Sequence, residues 1–354
     1  MAKNVKATSN KCLSCGNDMV FSPEKNCLIC FSCNTLKQID AKFGLPMHDV
    51  ANEKLIAHKN HKWQEEVKNM NCLNCGAKVM LQSFQTSANC PYCSTSLIAT
   101  KQDYDGLKPD AIIPFKFGKE KAIELFKHAL KNKWLVPNKF KNAIVADDIQ
   151  AYYFPAFIFD AECDTKYDGR LYKNEEIETS DGSSETQRKY FSINGQITTN
   201  HNGIEIEAST KLTQFELNSI KPYNLKEAKE YTNNFVYGFS LECYSNSLTE
   251  TNKQAKTIIQ QEIKNSILSK YNYSGVDYLN LQTKYNSEKY SYCVLPVYRF
   301  NYTHKNKKYS NIMNGQTGAL GGDYPKSALK ILMIVLMAIL LFAVPIIAII
   351  MAIV

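Results

Sequence analysis

Eight of the twelve cysteines in this chain fall into two quartets related by one constant offset. Cys12, Cys15, Cys30 and Cys33 recur as Cys72, Cys75, Cys90 and Cys93, each 60 residues later. Each quartet is a CxxC pair, a gap of 14 residues and a second CxxC pair, and each opens Cys-Leu-(Ser or Asn)-Cys-Gly. Thiolates from two such knuckles suit a soft, tetrahedral ion of the zinc type, and the spacing is close to the recognised paired-knuckle pattern. The expectation is two structural Zn2+ sites, each organising a small ribbon. Cys27 forms a second CxxC with Cys30 and is a fifth candidate ligand. The 60-residue register favours Cys30 and Cys33.

The other cysteines, Cys163, Cys243 and Cys293, are scattered and show no pairing pattern, so a reducing compartment fits better than an oxidising one. No apolar leader opens the chain; its first eleven residues are polar and include Lys3, Lys6 and Lys11. A length of 354 residues allows two or three domains, and a hydrophobic content of 44% allows a sizeable core. The formal charge of +8 shrinks once metal is counted. Four thiolates around one Zn2+ carry about −2, so two filled sites leave roughly +4. Basicity alone therefore argues little for nucleic acid.

The expected organisation is ribbon 1 at 1–36, a helical linker at 37–70, ribbon 2 at 71–100, an α+β domain at 101–325 and an apolar tail at 326–354. Within the linker, residues 50–69 read as a charged helix with Leu55, Ile56, Trp63 and Val67 as its packing stripe. His58 and His61 have ligand-like spacing but are read as part of its solvated face. Residues 111–117 read as a short strand, and 118–133 as a basic amphipathic helix with an apolar stripe of Ile123, Phe126 and Leu130. Lys119, Lys121, Lys127, Lys131 and Lys133 surround that stripe. They are candidate contacts for an anionic surface, lipid head or phosphate, with an ordinary solvated face as the alternative.

Residues 152–160 and 293–303 are aromatic, strand-like runs, each carrying one proline, Pro155 and Pro296. They suggest a second, weaker duplication and two related lobes. A proline there suits a sheet edge or a strand start. Stretches of 166–210 alternate as antiparallel strands do, around an acidic, Ser-rich loop at 174–188. Helical patterns return at 224–235 and 249–270, the latter with Ile258, Ile259, Ile263 and Ile267 on one face. The fold class read from these patterns is α+β with antiparallel strands.

Residues 331–354 contain no charged side chain. As a helix they would span about 36 Å against a hydrocarbon core of about 30 Å. The expectation is one C-terminal transmembrane helix. Lys326 and Lys330 precede it and would lie in the cytoplasm. That reading makes the chain a tail-anchored, single-pass protein of the cell membrane, with its N-terminal bulk cytoplasmic and the bilayer as a partner through 331–354.

No GxxxxGK[ST], HExxH, GxSxG or GxGxxG motif occurs. Four cysteines per ribbon leave no open coordination position for catalysis. The chain is therefore expected not to be an enzyme and to have no small-molecule substrate. Its motif order resembles that of bacterial membrane proteins with a TFIIB-type zinc ribbon, often labelled primosomal protein N′-like. The stretches carrying the resemblance are Ile112–Lys116, 131–140, 152–160, 205–210 and 294–325, together with the ribbons. Similar proteins are associated with phage-shock protein A as its membrane anchor, so the resemblance implies an adaptor. The functional expectation is a membrane-anchored adaptor that recruits a cytosolic protein. The alternative is a membrane-tethered, nucleic-acid-binding ribbon protein; residues 76–89 hold only one lysine and one phenylalanine, which disfavours it.

Overall fold

A computed structural model of the chain describes residues 10–52, 67–82, 87–93, 95–98, 107–138, 149–178, 184–209, 211–304 and 307–353. Ribbon 1 is a three-stranded antiparallel sheet of β1 (Val20–Ser22), β2 (Cys27–Ile29) and β3 (Leu36–Gln38). After it come β4 (His48–Asp49) and a single 3-10 turn, Val50–Asn52. The expected helix over 50–69 is corrected at both ends. Its start is that turn, and its finish begins β5 (Val67–Asn71). Leu55, Ile56, Trp63, His58 and His61 lie outside the described residues.

Ribbon 2 comprises β5 paired with β6 (Lys78–Gln82), then β7 (Ser87–Asn89) paired with β8 (Ser96–Ile98). It is not a free-standing module. Met80 and Val79 of β6 pair with Leu241 and Glu242 of a later strand, which joins ribbon 2 to the main sheet.

The α+β body starts at β9 (Ala111–Ile112) and the helix α1 (Lys119–Lys131). Its frame is three long strands: β10 (Ile149–Glu178), β11 (Ser184–Glu207) and a later strand from Gly275. Between them lie α2 (Gln214–Ile220), β12 (Lys229–Glu230), β13 (Ser240–Glu242) and α3 (Leu248–Leu268). The chain then forms β14 (Gly275–His304), β15 (Lys307–Asn314), β16 (Leu320–Gly322) and α4 (Ala328–Ile353). The sheet order is β12-β9-β14-β10-β13-β6-β5, with β11 also on β10, and β15 and β4 also on β14. The loop expected at 174–188 is mostly strand, because Asn174–Glu178 pair with Ser184–Arg188 across the β10–β11 hairpin. At 224–235 the structure has two 3-10 turns rather than a continuous helix.

The prolines correct the edge-strand expectation. Pro155 pairs with Val294 and Pro296 with Tyr153, in the middle of the antiparallel β10–β14 pair. Each is tolerated because its strand changes outer neighbour there. β10 pairs with β13 through Tyr152 and Tyr153, and with β11 from Ala156 onward. β14 pairs with β9 through Cys293 and Val294, and with β15 from Val297 onward. No ladder N–H is required at either switch point, so a residue without one fits. The two positions are related by a local twofold about the Phe154–Leu295 pair.

Burial follows from these pairings. Tyr153, Phe157, Tyr292, Tyr298 and Phe300 are all fully buried and form the aromatic core. Helix α1 contributes Ala122, Phe126 and Leu130, with Phe126 stacked on Phe300 at 4.1 Å. Helix α3 starts at a capping box of Ser247 and Glu250, which satisfies its first free N–H groups. Its Ile259, Ile263 and Ile267 pack on Cys163, Leu171 and Ile193 of the long hairpin. Ile258 of the expected stripe is only partly buried.

Among the described residues no helix is long and apolar enough to cross a membrane. That finding overturns the transmembrane tail, the single-pass cell-membrane placement with a cytoplasmic bulk, and the bilayer as a partner through 331–354. Helix α4 exposes apolar side chains, among them Leu329, Leu332, Met337 and Leu341. The helix is tied to the body at its start: Lys330 Nζ donates to the Trp134 carbonyl at 2.7 Å and the Val136 carbonyl at 3.2 Å.

Candidate metal centres

Each quartet closes on itself. The four Sγ atoms of Cys12, Cys15, Cys30 and Cys33 lie within 4.8 Å of one another, as do those of Cys72, Cys75, Cys90 and Cys93. Cys12–Cys33, Cys15–Cys30, Cys72–Cys93 and Cys75–Cys90 are each 3.5 Å apart. A tetrahedral ion at about 2.3 Å from each sulfur needs edges of about 3.8 Å, so both quartets fit a metal ion. Cys27 is 1% exposed in β2 and belongs to neither group.

The backbone explains the repeat. Gly16 N–H donates to the Cys12 carbonyl, and Gly76 N–H to the Cys72 carbonyl. The Cys12 N–H bonds to the Asn17 carbonyl and the Cys72 N–H to that of Ala77. Gly16 and Gly76 have φ of 75° and 72°, a left-handed conformation that costs a residue with a Cβ. This is why Gly follows both first CxxC pairs. At the second pairs, Cys30 N–H and Cys90 N–H bond to the carbonyls of Thr35 and Thr95, whose hydroxyls lie 3.1 and 3.2 Å from the sulfurs of Cys33 and Cys93. The Ser14 N–H leads in lowering the Cys12 thiol to about 6, whereas Cys15, against its Asn17 N–H, is pushed up to about 12 by the Cys33 and Cys30 sulfurs.

The two centres dock differently. Ribbon 1 reaches the main core through Phe21, which meets the Phe235 ring edge-on at 5.2 Å and hydrogen-bonds the Tyr237 carbonyl. Ribbon 2 reaches it through Tyr92, between Cys90 and Cys93. The Tyr92 hydroxyl donates to the fully buried Glu242 carboxylate, its carbonyl accepts from Asn301 Nδ2 at 3.2 Å, and its ring lies 5.0 Å from the Arg299 guanidinium. Ser209 Oγ donates to Glu242 at 2.6 Å, and the Ser209 N–H to Glu207 at 3.0 Å. Burial pushes Glu242 up to about 7 against these hydrogen bonds, and pushes Glu207 to about 7 as well. This buried network was not legible in the spacing alone. The one signal was that the second knuckle reads Cys-Pro-Tyr-Cys where the first reads Cys-Phe-Ser-Cys.

The lysines singled out on and just after α1 do not converge with the four-cysteine centres. Lys119, Lys121, Lys131 and Lys133 are exposed and Lys127 is half-buried. Lys121 pairs with Glu124 at 2.8 Å, and Lys133 sits over the Tyr324 ring at 5.6 Å. Part of the basic face is thus occupied within the molecule.

The fold and the sites together define a protein with two four-cysteine centres whose ribbons are built into an α+β sheet. No protein-family model matches the chain, and no solved structure matches it. The chain is similar to a Bacillus subtilis (strain 168) protein described as "Uncharacterized protein YdjG", at 27% identity over 326 residues that cover 91% of this chain and 92% of the relative.

Proposed function

We propose that this chain is a non-catalytic adaptor in which two Zn2+ ions hold paired ribbons rigid for binding another protein. The observation that carries the reading is a matched pair of leucines. Leu13 and Leu73, at equivalent positions inside the two first knuckles, are 97% and 100% exposed. Phe31, on the second knuckle of ribbon 1, is 76% exposed. Large apolar groups held out on rigid knuckles suit a protein contact better than a phosphate backbone. Zinc is the proposed ion because four thiolates select a soft, tetrahedral metal. The resemblance to anchors of phage-shock protein A nominates a scaffold of that kind as the first partner to test.

The test places a photo-crosslinking residue at Leu13 or Leu73 of the full chain in cells. A discrete protein adduct that vanishes in the Leu13→Glu/Leu73→Glu variant is expected. Adducts with nucleic acid alone would favour the ribbon-based nucleic-acid reading, and no adduct at either position would remove the adaptor reading. Metal analysis of the purified chain should find two zinc ions per molecule.

A further inference from the structure

A cleft of about 370 Å³ opens where ribbon 1 meets the α+β body. Its walls combine apolar groups, Pro23 from the β1–β2 turn, Phe43, and Pro114 and Phe115 after β9, with the polar side chains of Asn26, Lys116 and Glu227. The volume falls within the range of small-molecule sites. Lys229 of β12 lines it and is 8% exposed. Among the described residues Lys229 forms no ion pair and its ammonium has no hydrogen-bond acceptor. It stands over two rings, Phe43 at 5.0 Å and Phe235 at 5.3 Å. Its stem is buried while its ammonium faces the cleft, and partial desolvation alone depresses the pKa of Lys229.

The neighbouring charges do not answer it. Lys116 and Glu227, on the same cleft, are paired with each other, and Glu227 also accepts from Gln316 Nε2 at 3.1 Å. Two lysines and one glutamate leave the cleft with one uncompensated positive charge. The backbone holds this arrangement: Phe43 and Lys229 form an antiparallel bridge, and Glu24 of the ribbon turn accepts from the Gly118 N–H at 2.6 Å.

We propose that this cleft binds a small monocarboxylate, its carboxylate on Lys229 and its apolar body between Pro23, Phe43 and Phe115. The single unpaired cation sets the ligand charge at minus one. Apart from Lys229, the polar groups on the cleft are Asn26 and the mutually paired Lys116 and Glu227, fewer uncommitted donors than a phosphate group calls for. The cleft shares the β1–β2 turn with ribbon 1, so an occupied cleft and a metal-loaded ribbon reinforce each other's geometry. This inference does not depend on the adaptor reading.

The test uses zinc-loaded full-length protein and calorimetric titration with phenylacetate, with its uncharged amide phenylacetamide and with inorganic phosphate. Phenylacetate should bind one to one, and the amide about tenfold or more weaker, the loss of one charge-assisted hydrogen bond. Phosphate should bind no better than the amide. Lys229→Met should weaken phenylacetate about tenfold and leave the amide unchanged, whereas Phe43→Ala, at a position 70% exposed, should weaken both. Should Lys229→Met fail to fold, the acid-against-amide ratio on the wild type still decides. Equal binding of acid and amide, undiminished acid binding by Lys229→Met, no binding of phenylacetate, or stronger binding of phosphate would each overturn the proposal.

Discussion

The hydroxyl of Tyr92, held between Cys90 and Cys93 of the second quartet, donates a hydrogen bond to the carboxylate of Glu242 in strand β13. One of these residues belongs to a metal knuckle and the other to the buried interior of the α+β body. Their bond makes the second four-cysteine centre part of the body's polar core.

Tyr92→Phe should therefore destabilise the zinc-loaded protein by about 1–3 kcal/mol, the cost of leaving a buried acceptor short of a partner. Denaturant unfolding measures this directly. A double-mutant cycle with Glu242→Gln should show coupling above about 0.5 kcal/mol, and additive effects would mean that the bond is not formed.

Glu242 also makes a pH prediction. Its folded pKa is raised from 4.5 to about 7 by burial, so between those values the folded state binds more protons than the unfolded state. Stability from this group is then present at low pH and lost as pH rises through about 7. A shift of that size corresponds to about 3 kcal/mol. Glu242→Gln should remove this dependence, so its advantage over the wild type should grow between pH 5 and 7. A constant difference across that range would refute the assignment.

Loss of each metal centre should have a separate footprint. Cys72→Ser should increase hydrogen exchange in β5 and β6 and then at Leu241 and Glu242, which pair with β6. Cys12→Ser should do so at Phe21 and across its contact with Phe235 and Tyr237. Exchange that stays confined to the ribbon strands would contradict the observed docking.

Gly76→Ala should destabilise ribbon 2 by about 1–2 kcal/mol, because φ of 72° places the new Cβ against backbone. The measurement is zinc affinity by chelator competition at fixed pH. Gly44, whose φ is not positive and around which a Cβ meets nothing within 4 Å, serves as the control position and should tolerate alanine.

Much of the local structure is legible in the residues alone. The α1 stripe of Phe126 and Leu130, the α3 stripe of Ile259, Ile263 and Ile267, and the two sulfur quartets all follow from periodicity or spacing. The prolines were misplaced because a strand's outer neighbour cannot be read from the strand. Pro155 looks like an edge residue until β13 and β11 are seen to hand over beside it. Lys229 and Glu242 carried no signal, since nothing in their neighbouring residues announces burial.

Short-range geometry, written directly in the residue order, controls the two paired-knuckle cysteine quartets, the left-handed glycine after each first pair, and the helices with one apolar face. Long-range packing controls how ribbon 2 docks through Tyr92, why both prolines lie mid-sheet, and why one lysine faces a cleft without a counter-charge. Spacing within a quartet spans about twenty residues and matches what a metal's coordination distances require. The Tyr92–Glu242 bond joins positions 150 residues apart, and it is set by which surfaces are left to bury once the long strands have paired.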